Sequence, residues 1–277
     1  MADGHERISP TAHVTAYAWH RIGMPWSRPF VTFGGWLGFW SWRVLLEWWG
    51  RLLTGGPSLE MMLEYRHRLI EAAAQAHEPD LHVEIAGGLS RRAVTFAVDH
   101  GVAALEIDLP HVVERKRTVL DGVSELAGKL EKHRLVARDA LGDAFAGEFA
   151  ELMGDAQRPV VVMEGLLTYF TLEQRTKLLT SVATALRGRD GVVLCDAYTR
   201  ESRGSSLASK LLKGAIGAVT RGQGPTDSWE TWDDARATFT KAGFGTVERV
   251  LAMELPEGER PRMGDEKAPS QVVRARV

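Results

Sequence analysis

The 277 residues carry 34 Lys and Arg against 36 Asp and Glu, a formal net charge of -2, and 44% of them are hydrophobic. That balance excludes wholesale disorder, which needs low hydrophobicity with high net charge, and argues against a nucleic-acid binder that works by neutralising phosphates. The single cysteine, Cys195, excludes an intrachain disulfide framework and a Cys-based zinc site, and a lone thiol fits a reducing cytoplasm.

The N-terminus, MADGHERISP, lacks the basic start and apolar core of a secretory leader. Residues 29–42, PFVTFGGWLGFWSW, are uncharged but too short to span a bilayer, which takes about 20 apolar residues, so no transmembrane segment is expected. Seven of the nine tryptophans lie between Trp19 and Trp49. Three readings fit: a helical pair packed on a neighbouring core, an aromatic lid over an apolar ligand, or a membrane-surface anchor. The same aromatics could pair two copies of the chain.

Composition changes at TGGPS, 54–58, which sets two expected units: a helical lid over 1–54 and a main domain over 55–277. Beyond the boundary the periodicity predicts a helix from Leu59, capped by Ser58. Then follow a short strand ending in VEIAGG, a helix stopped by Gly101, and the strand VAALEIDLP. A long helix is expected over 111–133 with a break at Gly122, then the strand RLVARDAL and a helix over GDAFAGEFAELMG. A buried-type strand, Val160 to Met163, precedes a helix with Thr171 as N-cap and Gln174 at the capping-box position. GVVLCDAY is another strand and makes Cys195 a buried, inert thiol. Glu201 to Gln223 is basic, with helical apolar spacing. A helix from Trp229 to Gly243, the strand GTVERVLAMEL and a terminal strand in QVVRARV complete the chain. This alternation predicts an α/β fold with a doubly wound, mainly parallel sheet, which binds ligands beyond the carboxyl ends of its strands.

Acids are expected at four successive strand ends: Glu84, Asp108, Asp139 and Glu164. Each alone could be a loop acid or helix cap, but four on one edge point to a shared ligand. Gly87 and Gly88 would let backbone approach it, and Asp108, about 20 residues on, can accept from ribose hydroxyls. The chain has no GxxxxGK[ST] phosphate loop, no GxGxxG fingerprint and no HExxH pair. No metal is expected. A nucleoside without phosphates fits best, and S-adenosylmethionine (SAM) is one.

Four stretches occur in order: YRHRLIE at 65–71, VEIAGGLSRR at 83–92, EIDLP at 106–110 with Lys116 beyond it, and VVMEGLLTYF at 161–170. Together they resemble the leucine carboxyl methyltransferase-like family, which includes protein-C-terminus methyltransferases and many bacterial O-methyltransferases of secondary metabolism. The opening SPTAHVTAYAWHR resembles the bacterial branch. The resemblance implies a Rossmann-like class I methyltransferase fold with an N-terminal helical, Trp-rich lid, and SAM as cofactor. It places Arg66 on the cofactor carboxylate, Ala86, Gly87 and Gly88 beside the cofactor, and Asp108 on the ribose. Asp139 and Ala140 then fall near the adenine, Glu164 near the methionine amino group, and Tyr169 toward the acceptor. This chain has Ala86 where the family has glycine, and Ser90 where it has a carboxylate.

The expected activity is O-methyl transfer to a carboxylate or hydroxyl of a small apolar metabolite. A carboxylate needs a clamp, whereas a hydroxyl acceptor calls for a base, for which His20 and His13 are candidates. A protein carboxyl methyltransferase, and a degenerate methyltransferase fold serving as a binding module, are the alternatives.

Overall fold

The computed structural model describes residues 10–44, 57–200 and 229–277. The basic segment from Glu201 to Gln223, and Trp48 and Trp49, lie outside the described residues. Seven strands form one sheet: β1 (Leu81–Ile85), β2 (Ala103–Asp108), β3 (His133–Ala137), β4 (Pro159–Met163), β5 (Val192–Ala197), β6 (Thr246–Val250) and β7 (Gln271–Arg276). Their spatial order is β3-β2-β1-β4-β5-β7-β6. The first five pair in parallel, whereas β7 is inserted between β5 and β6 and runs antiparallel to both.

Side chains alternate between the two faces of a strand, and the core divides accordingly. Val161, Met163, Val193 and Cys195 pack with Phe145, Phe149, Leu178, Leu179 and Phe239. These come from α6 (Phe145–Met153), α7 (Leu172–Leu186) and α8 (Trp232–Ala242). Their neighbours Val160, Val162, Val192 and Leu194 face the other way, onto Leu69 and Ile70 of α3 (Leu59–Ala76) and Phe96 of α4 (Arg92–Val98). Strands covered on both sides read as continuous apolar runs, which is why PVVVM and VVLC were visible in the sequence. Ser58 caps α3 through Met61 N–H, and the Thr171–Gln174 capping box forms at the start of α7. Burial pushes the Cys195 thiol well above its ordinary range, as expected for an inert core cysteine.

Two expectations are corrected. The helix foreseen over 111–133 is α5 (Pro110–Asp121) alone, followed by a short 3-10 turn at Ser124–Leu126. Gly122 ends it, and Gly128 turns the chain at φ +70° toward β3. Glu84 does not stand at a strand end. It lies inside β1, 1% exposed.

The N-terminal segment forms α1 (Pro10–Arg21), a 3-10 turn at Arg28–Phe30 and α2 (Phe33–Trp42). Ala16, Trp19, Met24 and Phe30 share a buried cluster with Leu89, Val94, Leu120 and Leu126, so α1 packs into the main body at the glycine turn. The opposite side of α2 is bare: Phe33 is 76%, Trp36 42% and Leu37 49% exposed. Among the described residues no helix is long and apolar enough to cross a membrane.

Candidate active site

The turn after β1 is set by backbone geometry. Gly88 has φ +57° and Ala86 φ +55°, both in the region that favours glycine. Ala86 holds it by donating its N–H to Ile107 O at 2.7 Å, which extends the β1–β2 ladder. Asp108, at the end of β2, accepts from Gly88 N–H at 2.9 Å and Leu109 N–H at 2.8 Å, one bond to each oxygen. A carboxylate has about four acceptor positions, so two stay open beside the turn. Burial pushes Asp108 up from the ordinary aspartate range, against the pull of these two backbone donors.

Beneath the turn lies a second, buried tier of charge. Arg92 donates to Glu84 at 2.7 Å and to Glu164 at 2.5 Å. Ser90 Oγ also donates to Glu84, at 3.1 Å. Arg91 pairs with Glu71, and Lys116 pairs with Glu106 while donating to Ser90 O at 2.5 Å. His133 completes that group, 2.6 Å from the other oxygen of Glu106. Glu84 is therefore a partner of Arg92 inside the core. Buried charges survive only when paired, and these pairs tie α4 and α5 to the underside of the glycine turn.

Glu164, following β4, gathers three groups. Arg66 Nε on α3 donates to it at 3.0 Å, Arg92 reaches its second oxygen, and His67 Nδ1 stands 2.8 Å from that oxygen. Burial pushes the His67 ring down to about 4, with Arg92 adding to the effect, so the ring is neutral near pH 7. Its Nδ1 also lies 2.6 Å from Arg92 Nη2, and its Nε2, without a hydrogen bond among the described residues, stands 3.7 Å from Glu71. Burial alone would raise Glu164; with His67 neutral, Arg92 and Arg66 hold it well below the ordinary glutamate range. Trp19 of α1 packs on His67, ring centroids 4.4 Å apart and the planes tilted by 32°.

Arg66 has further partners that sequence reading missed. Its Nη1 donates to Asp196 at 3.1 Å and to the Tyr198 hydroxyl at 2.8 Å. Asp196 also accepts from Gly165 N–H at 2.5 Å. An acid inside the apolar run GVVLCDAY was the available signal. Glu64 and Glu71, on the same helix as Arg66, pair with Arg68 and Arg91.

Asp108, Gly87, Gly88, Arg66 and Glu164 thus share the C-terminal edge of β1, β2 and β4. Asp139 lies two residues beyond β3, exposed, and accepts from Leu141 N–H at 2.9 Å as a turn former, with Ala140 half-buried beside it. Tyr169 meets Thr11 of α1, hydroxyl to hydroxyl, at 3.3 Å. His20 is exposed at the far end of α1, nine residues on, about 13 Å at the usual helical rise. The structure does not bring Tyr169 and His20 together. His13 Nδ1 lies 3.0 Å from Thr32 Oγ1, the N-cap of α2. A groove of about 700 Å³ between α7 and α8 is lined by Leu172, Thr176, Lys177 and Lys241, and by none of these site residues.

Strand order, the turn and the acids at the sheet edge define a Rossmann-like class I methyltransferase fold. Residues 57–183, from α3 into α7, match the model of the leucine carboxyl methyltransferase family, the family whose motifs the sequence resembles. A Mycobacterium tuberculosis protein, provisionally named as a SAM-dependent methyltransferase, is 32% identical over 100 residues. That match covers 36% of this chain and 31% of the relative, so under a third of the relative's length is spanned. A Mycobacterium bovis protein of the same name matches equally. Among solved structures, a DUF574 family protein from Streptomyces avermitilis has TM-score 0.59 at 13% identity, with 97% of each chain covered. PigF with SAH has TM-score 0.52 at 14% identity, covering 88% of this chain and 73% of its own. At those identities the likeness is one of fold.

The site's residues fit SAM. Asp108 keeps open acceptor positions, Gly88 adds no side chain beside the turn, where Ala12 is its neighbour, and Arg66 Nη2 makes no hydrogen bond among the described residues and lies beside Gly165. Among the described residues no group of three His, Cys, Asp or Glu could hold a metal.

Proposed function

We propose that the chain is a SAM-dependent O-methyltransferase acting on a carboxylate or hydroxyl of a small, apolar metabolite. The observation that carries this reading is the pairing, on one sheet edge, of Asp108 tied to Gly88 N–H with Arg66 held on Glu164. The two ends suit a ribose and an amino-acid group respectively. When bound, SAM supplies a methyl group already activated by its sulfonium.

The protein's part is binding, alignment and exclusion of water. Asp108 accepts from the ribose hydroxyls, Gly87 and Gly88 give backbone approach, and Ala140 with Asp139 borders the adenine. Glu164 faces the amino group, with its charge kept by Arg92. Glu84 serves indirectly, by holding Arg92. α1 closes the acceptor side, because Ala12 lies against Gly88 and Thr11 against Tyr169. Tyr169 positions the acceptor, whereas His20 would act as base only for an acceptor reaching the outer end of α1. The retained left-handed turn at Ala86 favours a working cofactor site over a degenerate binding module.

The test is calorimetry with SAM followed by a metabolite screen read by mass spectrometry. Micromolar SAM binding and a mass gain of one methyl group are expected; a folded protein with no SAM affinity would sink the reading. Self-association through the bare face of α2 is a further part of this reading, checked by sedimentation before and after Phe33→Ser, Trp36→Ser and Leu37→Ser.

A further inference from the structure

An arginine discriminates a carboxylate well only if its planar fork is held in one orientation. Arg66 is held from three sides. Glu164 takes Nε, while Asp196 and Tyr198 both take Nη1. Among the described residues Nη2 has no hydrogen-bond partner, and it is not sealed from solvent. The free donor therefore has a fixed direction, set by the consumption of the other two nitrogens.

Two features keep that direction open. A Cβ at Gly165 would stand 3.3 Å from Nη2, and Gly165 has φ +69°, so a glycine suits this position on both counts. Asp196, 1% exposed, bridges Gly165 N–H and Arg66 Nη1 with its two oxygens, fixing the turn and the guanidinium to one another. Asp196 lies in β5 and Tyr198 directly follows its last residue, and both reach Arg66 Nη1.

We propose that Asp196 and Tyr198 are positioning residues that preset Arg66, so that Nη2 is presented to the carboxylate of the cofactor's amino-acid end. This rests on the SAM reading above. The competing role is charge balance alone, with Arg66 neutralising Glu164 and Asp196 and touching no ligand.

The experiment compares two ligands that differ by one group: SAM, and decarboxylated SAM, which keeps the sulfonium, the amino group and the nucleoside. Calorimetry is run on wild type, Tyr198→Phe, Asp196→Asn and the Arg66→Ala/Tyr198→Phe pair. Wild type prefers SAM. Tyr198→Phe loses roughly three- to tenfold in SAM affinity, the range expected for one hydrogen bond, and stays within about twofold for the decarboxylated ligand. Asp196→Asn shows the same pattern, enlarged, and in the Arg66→Ala background Tyr198→Phe adds nothing. Equal losses for both ligands, or none for either, overturn the proposal, as does a wild type that binds the two alike. In those cases the cofactor reading stands. A wild type that binds neither ligand removes both. If Asp196→Asn does not fold, Tyr198→Phe alone decides.

Discussion

Asp108 and His67 show how burial sets the behaviour of single residues here. Asp108 keeps two acceptor positions open beside Gly88, so Asp108→Ala removes charge-assisted bonds to the ribose. SAM affinity is expected to fall by about 1–3 kcal/mol with circular dichroism unchanged; equal affinity in the folded variant would put the ribose elsewhere. His67 acts on stability instead. Its folded value of about 4 lies below the ordinary histidine value of 6.5, so the unfolded chain takes up a proton that the folded chain refuses. The contribution is complete above pH 6.5 and is lost as pH falls toward 4, at up to about 1.4 kcal/mol per pH unit. Burial also lowers His82 and His13, so several protons shape that slope. Urea titrations of His67→Gln between pH 6.5 and 4.5 are expected to lose one proton's worth of slope. An unchanged slope would mean that His67 is charged in the fold.

The glycine turn is the element in which local geometry and binding meet. Ala86 sits at φ +55°, a conformation costing a non-glycine residue about 1–2 kcal/mol. Glycine relieves that but adds roughly 0.5–1 kcal/mol of chain entropy. Ala86→Gly is therefore expected to raise stability by up to about 1 kcal/mol, read as a rise of a few degrees in Tm. Lower stability would show that the Ala86 methyl packs productively. Strands were legible in the sequence because those buried on both faces are unbroken apolar runs, and helices because Ser58 and Thr171 announce their starts. The segment 122–132 was misread, since its apolar spacing persists after Gly122 has ended α5. The pairing within the lower tier was not legible, although Glu84 and Lys116 stood out singly. Arg91 and Arg92 are fully buried, and nothing in local pattern tells such arginines from surface ones; only the fold reveals Glu71, Glu84 and Glu164 around them. The upper tier was legible, because Asp108 and Glu164 directly follow apolar strand runs.

For the molecule as a whole, α1 and the turn after it form part of the core. Trp19 is 5% exposed and packs on His67, while Phe30 lies under Lys116. Removing residues 1–50 is therefore expected to abolish methyl transfer and to lower Tm as well, and Trp19→Ala alone should cost about 3–5 kcal/mol. A truncated protein with wild-type Tm would show that α1 is a detachable lid.

The antiparallel β7 has a consequence for how the molecule is made. β6 emerges from the ribosome before β7, yet among the described strands β7 is its only partner, and β5 also waits for β7 to cover its edge. Until residues 271–276 arrive, the nascent chain carries a bare β5 edge, while β6, which follows α8, stays unpaired among the described strands. Unpaired strands of this kind recruit other chains. Among the described strands, β7 is therefore the one that joins β6 to the rest of the sheet. A protease that cuts between β6 and β7 would leave β7 held by its pairing with both neighbours and by its buried Val272, Val273 and Ala275, so that only its covalent tie to β6 is lost.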